Sequence, residues 1–78
     1  MPRFFIHCTT GERRIVDEEG HDLPDARAAL EMAYEAAREI VAEKVLEGDV
    51  IRADSVEVVD ESGTLVGSVP IKDVFRVV

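Results

Sequence analysis

The chain has 78 residues and a formal net charge of −8, and it contains a single cysteine. A chain of this length forms one domain with a thin core, because one sheet and one helix are about what it can bury. One cysteine excludes an intramolecular disulfide, and no Cys or His spacing resembles a structural zinc site. We therefore expect a single domain over residues 1–78 that holds no cofactor and resides in a reducing cytoplasm.

The negative charge is concentrated in the middle of the chain. Residues 17–49 contain eleven acidic and three basic side chains, whereas residues 1–16 have a net charge of +2. A field of this sign repels a phosphate backbone, so generic nucleic-acid binding is disfavoured. No run of about 18 apolar residues occurs and no signal peptide is recognisable, so we expect a soluble protein without a membrane association.

The first predicted element is a β-hairpin over residues 3–17. Side chains alternate along the segment RFFIHCT as they do on the two faces of a strand, with Phe5 and His7 facing away from the core. The letters TGE signal a turn, and RRIVD follows as the second strand. The face expected in the core consists of Phe4, Ile6 and Cys8.

Cys8 suggests a nucleophile because His7 is its neighbour. Successive side chains of a strand point to opposite faces, so this histidine cannot activate the thiol. We interpret Cys8 as a small core residue.

The stretch DEEGHDLPDARAA, residues 17–29, permits two interpretations. His21 between Glu19 and Asp22 could bind a divalent ion or act as a general base oriented by a carboxylate. The composition favours the other interpretation, a glycine-containing turn followed by a helix cap. The cap is Asp25, or else Asp22 with the proline of this stretch in the first turn. The second interpretation leaves His21 without a structural role.

The strongest local pattern predicts a long helix over about residues 26–47. This segment lacks Gly and Pro, consists largely of helix formers, and is followed by Gly48, which is suited to a left-handed cap. Charged residues recur on the opposite side of the predicted helix and are expected in water. The apolar stripe consists of Ala29, Leu30, Ala33, Ala37, Ile40 and Val41.

The last third of the chain predicts a second hairpin. SVEVVD and TLVGSV are joined by a turn around Gly63, and Val56 and Val58 fall on one face of the first of these strands. Pro70 ends the second strand because it has no N–H to donate. The segment IKDVFRVV follows as a helical turn or an edge strand, and the pattern leaves both alternatives open.

These elements predict an α+β fold of β-β-α-β-β type, an antiparallel sheet of two hairpins with one helix on a single face. One helix covers one side of such a sheet, so apolar side chains remain on the other side. An apolar patch of this kind is typical of an interaction surface, and we expect a homodimer or a protein partner to dock there. The predicted surface consists of Phe5, His7, Val16, Val59 and Val66.

An alternative function is RNA or small-ligand binding by the first hairpin, where Arg13 and Arg14 lie near two phenylalanines. The aromatic side chains are few, and no RNA-recognition strand motif is present. No phosphate-binding glycine loop, GxSxG elbow or HExxH motif occurs either. We therefore expect a non-enzymatic protein.

Three segments resemble a family of short alphaproteobacterial proteins known only as a domain of unknown function: MPRFFIH, DEEGHDLPDARAALEMA and VEVVDESGTLVGSVPI. The resemblance implies a cytosolic bacterial protein with the β-β-α-β-β arrangement, and it brings no site residues. The passage DLPDARAALEMAYEAAREIVAE is also similar to HicB-type antitoxins, in which three strands precede the helix. That resemblance concerns the fold, and the role it implies is that of an antitoxin-like regulator.

Overall fold

The computed structural model of the chain describes residues 1–49 and 54–75. It confirms the α+β fold, with one helix packed on an antiparallel sheet of five strands. The strands lie in the order β2-β1-β4-β5, and β3 pairs with β1 on the same side as β2. The elements are β1 (Arg3–Thr10), β2 (Arg13–Ile15), β3 (His21–Asp22), α1 (Ala26–Glu47), β4 (Ser55–Asp60) and β5 (Leu65–Pro70), followed by a 3-10 turn (Ile71–Asp73).

Both predicted hairpins are present, and β1 and β4 pair at the centre of the sheet from Phe4–Asp60 to Thr9–Ser55. The strand predicted over RRIVD is shorter than expected, because it ends at Ile15. The strand β3 was not predicted at all. The chain leaves β1 after β2, bulges outward over residues 16–20, and returns to pair with the other end of β1.

The helix has the predicted bounds and caps. The carboxylate of Asp25 accepts the N–H of Ala28 at 2.9 Å, so Asp25 rather than Asp22 is the N-cap. Gly48 closes the other end in the left-handed conformation, with φ 69°. Three alanines of the apolar stripe are fully buried, which lets the helix approach the sheet closely. The buried apolar core consists of Phe4, Ala29, Ala33, Ala37, Val56, Val58, Val69 and Ile71.

A bulge in the second hairpin alters the expected faces. Val58 pairs with Gly67 and Val59 pairs with Leu65, so Val66 is the extra residue. Val66 packs against the core cluster, and the expectation that it lies on the open face of the sheet is wrong. A Cβ atom on Gly67 would lie 2.7 Å from a methyl group of Leu30, so the helix approaches β5 where no side chain intervenes.

Of the two alternatives predicted for the segment after β5, a helical turn or an edge strand, the structure shows the helical turn. Ile71 is fully buried there, and its N–H donates to the backbone carbonyl of Asp54 at 2.9 Å. The last residues of this prediction, 76–78, lie outside the described residues. Asp54 itself is buried, accepts the N–H of Gly11 at 2.7 Å and lies 3.8 Å from Nζ of Lys44. It therefore ties the turn between β1 and β2 to the start of β4.

Candidate functional site

The open face of the sheet is partly covered by the acidic loop. Phe5 and His7 lie together on this face, with ring centroids 6.5 Å apart and an interplanar angle of 15°. The backbone N–H of Asp17 donates to Nδ1 of His7 at 3.0 Å. A Cβ atom on Gly20 would lie 2.9 Å from the ring of Phe5, so the loop passes directly over that ring. The β1 part of the predicted surface is therefore smaller than expected.

Asp17 completes the edge of the sheet between β2 and β3. One of its carboxylate oxygens accepts the N–H of Ile6 at 3.1 Å, and the other accepts the N–H of Gly20 at 3.0 Å. Partial burial raises the pKa of Asp17. The two N–H groups and the nearby His21 lower it by more than burial raises it, so the pKa lies below its ordinary value. The side chain thus takes the position that a neighbouring strand would otherwise fill.

His21 has a structural role that the sequence did not reveal. Its Nε2 lies 3.3 Å from Oδ2 of Asp17, and its backbone pairs with Phe4. The next residue, Asp22, forms a two-pronged contact with the guanidinium of Arg3, at 3.1 and 3.3 Å. Within residues 1–49 and 54–75 no group of three or more His, Cys, Asp or Glu side chains is placed to hold a metal ion. The contacts of His21 are those of an edge-closing residue.

The two arginines of β2 have different environments. Nη1 of Arg14 lies 2.5 Å from Oε1 of Glu57, and the hydroxyl of Thr9 donates to the same oxygen at 3.2 Å. Arg13 is exposed. The pair that the RNA-binding hypothesis requires is therefore divided, with one guanidinium already engaged by a carboxylate.

Cys8 is half-buried at the bottom of a groove between the helix and β2. Burial raises the pKa of its thiol, and the carboxylate of Asp17 raises it further. A raised pKa keeps the thiol protonated and makes it a poor nucleophile. The groove has a volume of about 340 Å³ and is lined by Cys8, Thr10, Arg13, Ile15, Ile40, Glu43, Lys44 and Glu47.

The remaining members of the predicted surface are separated. Val59 pairs with Phe5 across β1 and β4 and is partly buried. Val16 lies in the loop that covers the face, with 54% of its surface exposed. The structure thus brings Phe5, His7 and Val59 together, whereas Val66 is partly buried and packs against the core.

The edge formed by β5 differs from the edge formed by β2 and β3. Within the described residues β5 pairs with β4 alone, and its segment LVGSVP contains no charged side chain. Leu65 on this strand is 56% exposed. Sequence reasoning predicted the strand but not its place at the edge, because a single hairpin does not reveal the strand order.

The helix adds an exposed flank beside β5. Leu30 contacts the position of Gly67 on β5, and residues four apart on a helix share a face. Tyr34 and Arg38 continue this flank, and Tyr34 is 42% exposed. We call the surface formed by β5 together with Leu30, Tyr34, Arg38 and Val45 the β5 margin. The absence of charge in LVGSVP and a tyrosine outside the apolar stripe were the signals that could have indicated it.

Within the described residues the chain forms a small α+β protein with one helix, in which Asp17 closes the β2–β3 edge of the sheet and β5 has no second strand neighbour. The chain belongs to the family described as a domain of unknown function (DUF6894), whose model matches residues 3–72. This match confirms the resemblance to a family known only as a domain of unknown function. No curated protein and no solved structure matches the chain. Among the residues that the structure describes, no helix has the length and apolar character to cross a membrane.

Proposed function

We propose that the protein is a non-enzymatic interaction module. A protein partner binds by adding one of its own strands to β5 at the edge of the sheet. The observation that carries this proposal is the contrast between the two edges of the sheet. Within the described residues, β5 has a strand neighbour on one side and bears no charge from Leu65 to Pro70. A sheet edge with free N–H and C=O groups and without charged side chains is a template for pairing with another strand.

Exposure on the open face of the sheet also favours β5 as the place where a partner binds. Its β1 part is covered by the loop that contains Asp17 and Gly20, whereas Leu65 at the β5 end is exposed. A strand added to β5 would extend this face and bring its own side chains next to Leu65. Main-chain hydrogen bonds would then supply affinity, and the exposed apolar side chain would contribute specificity.

The RNA-binding and antitoxin-like alternatives stay predictions. Arg14 is paired with Glu57, so one of the two arginines that the RNA-binding alternative uses is already engaged by a carboxylate. The strand β3 raises the number of strands before the helix to three, the number in the HicB-type fold. A shared arrangement of elements does not by itself carry a function, so neither alternative has the support that the edge contrast gives to a strand-binding module.

The proposal is tested by selecting extended peptides from a displayed library against the immobilised protein. Ser68→Lys places a charge on an exposed position of β5, opposite Glu57 on β4, so the variant keeps a favourable cross-strand pair. We expect the selected peptides to bind this variant at least about five-fold more weakly than the unsubstituted chain. Leu46→Lys makes the same change of charge on an exposed helix position outside the β5 margin and is the control. Equal binding to both variants would refute the proposal.

A further inference from the structure

We infer that the strand that pairs with β5 is β5 of a second copy, in a twofold dimer. This inference rests on the proposed function of the same edge. A twofold interface brings the same surface of each chain together, so that surface must be complementary to itself. Two β5 strands related by a twofold axis are antiparallel, and each can offer its free N–H and C=O groups to the other. The first requirement of self-complementarity is therefore met by the backbone.

Charge provides the second argument for a second copy. A net charge of −8 opposes self-association wherever acidic groups would meet. The β5 margin avoids this repulsion, because β5 has no charged side chain. On the adjoining helix surface Arg27 and Arg38 balance Glu31 and Glu35, and the last three of these line one shallow depression together with Tyr34. The margin and the helix surface that adjoins it are together about neutral in a strongly acidic chain.

The distribution of glutamates along the helix has the same effect. Glutamates occur at every fourth position from Glu31 to Glu47. A spacing of four residues advances about 40° per step around a helix, so such a row winds slowly across the surface. It ends at the groove beside β2, which Glu43 and Glu47 line. The row of acids therefore turns away from β5 beyond Glu35, and a second copy would meet only Glu31 and Glu35, which Arg27 and Arg38 balance.

Exposed apolar side chains provide the third argument. Tyr34 is 42% exposed and Leu65 is 56% exposed, and Val45 at the far end of the same helix flank is 67% exposed. The helix lies over β4 and β5 more than over β1. With strands about 4.8 Å apart, a helix above the line between β4 and β5 would stand about 10 Å from its symmetry mate, a usual helix-packing distance. The two helices would thus bury Tyr34 and Val45 together, whereas Leu65 lies on the open face of the sheet, away from the helix.

The edge of β5 alone does not provide enough contact area for a stable dimer. A specific interface buries about 800 Å² on each partner, which is more than the exposed edge of one six-residue strand provides. The helix flank supplies additional apolar surface along Tyr34 and Val45. We therefore expect both the strand and the flank to be needed, and we expect a dimer of modest affinity.

Sedimentation equilibrium from micromolar to millimolar concentration tests this inference. The unsubstituted chain is expected to move from 8.6 kDa towards twice that mass. Ser68→Lys and Tyr34→Glu are each expected to raise the dissociation constant at least about five-fold. Leu46→Lys and Leu46→Glu are matched controls at an exposed helix position outside the margin, and both are expected to dimerise as the unsubstituted chain does. Circular dichroism establishes whether each variant is folded. If Ser68→Lys does not fold, Tyr34→Glu still tests the inference, because it changes an exposed position of the helix.

Two results would overturn the inference. A mass of 8.6 kDa at every concentration would exclude the second copy, and peptide binding sensitive to Ser68→Lys would then still support the strand-binding module. A dimer that persists unchanged in both Ser68→Lys and Tyr34→Glu would show that the copies meet elsewhere. If peptide binding were also insensitive to Ser68→Lys, the proposed function would fail together with the inference.

Discussion

The two edges of the sheet are built in opposite ways. On one side β1 is flanked by two short strands with a bulged loop between them, and the carboxylate of Asp17 accepts the N–H of Ile6 in the gap. On the other side β5 is six residues long, uncharged, and without a second strand neighbour in the described part of the chain. Short strands and charged side chains prevent unwanted pairing at an edge, and β5 has neither, although a bulge at Val66 interrupts its pairing with β4. The acidic stretch that suggested a metal or acid/base site in the sequence therefore closes the β2–β3 edge of the sheet. The uncharged strand β5 leaves the other edge without a second strand neighbour in the described residues.

The closed edge is held together by two carboxylates with different partners. Asp54 joins the turn at Gly11 to the start of β4, and Asp17 joins Ile6 to the loop at Gly20. Asp17 accepts an N–H of β1 where the interrupted strands leave a gap, and Asp54 holds the turn that begins β2. Substitutions at these carboxylates and in the loop test whether this side of the sheet depends on these contacts.

The largest effect is expected from Asp54→Ala. The substitution removes a buried hydrogen bond to Gly11 and leaves a cavity, and we expect it to lower the free energy of unfolding by about 3 kcal/mol. Asp49→Ala is the matched control, because the carboxylates of Asp49 and Asp54 both lie within 4 Å of Nζ of Lys44 but Asp49 is 56% exposed. We expect the control to cost below about 1 kcal/mol. Urea denaturation measures both values, and similar losses for the two variants would contradict the role of Asp54.

Gly20→Ala is expected to have the next largest effect. Gly20 has a φ of 75°, and a Cβ atom would lie 2.9 Å from both the side chain of Arg3 and the ring of Phe5. The left-handed conformation and these contacts together should cost about 2 kcal/mol. Gly48 has a φ of 69° with no atom within 4 Å of its Cβ position, so Gly48→Ala should cost only about 1 kcal/mol. A thermal melt in which both variants lose the same stability would show that the loop does not pack on Phe5.

Asp17→Asn is expected to lower the stability by about 1 kcal/mol at neutral pH, because a charged acceptor of two N–H groups is replaced by a neutral one. The pKa of Asp17 is lower in the folded chain than its ordinary value. The carboxylate therefore stabilises the fold above about pH 4, and this contribution is lost as the pH falls through the folded pKa.

The pH dependence of the Asp17 variant provides the measurement. We expect the difference in urea midpoint between the unsubstituted chain and Asp17→Asn to shrink on acidification below about pH 4. The pKa of Asp60 is also lowered, first by the hydroxyl of Ser62 and then by the N–H of Thr64, but Asp60 is present in both proteins and its effect cancels. A difference in midpoint that stays constant with pH would mean that the charge of Asp17 does not support the edge.

The helix and the two hairpins could be predicted because their signals are local. Asp25 precedes a run of helix formers and Gly48 follows it, so the caps mark both ends within a few residues of sequence. The alternation along the first strand likewise identified Phe4 as a core residue. Such features depend on side chains that are near each other along the chain.

The strand β3 and the bulge at Val66 depend on contacts between distant residues. A two-residue strand has no periodicity, and β3 exists because Asp22 meets Arg3 and His21 pairs with Phe4. Val66 turns inward because the second hairpin has one extra residue beside the position where Leu30 meets β5. Neither contact can be read from the spacing of residues in one segment.

The location of the candidate site could not be predicted from the sequence. An interaction surface was expected on the open face around Phe5, but the loop that covers that ring is set by the geometry of Asp17 and Gly20. The strand order determines which strand lies at an edge, and it follows from the pairing of β1 with β4 across the helix connection. The exposed edge of β5 therefore became apparent only from the assembled sheet.

Amide hydrogen exchange measured at low and high protein concentration compares the two edges directly. We expect the amide of Ile6, which donates to Asp17, to be protected at both concentrations. The amides of β5 that do not pair with β4 should exchange rapidly in dilute solution and more slowly at millimolar concentration, as a second copy adds its strand. If the exchange of the β5 amides does not depend on concentration, or if the protection at high concentration falls on β2 and β3, the account of an open and a closed edge is contradicted.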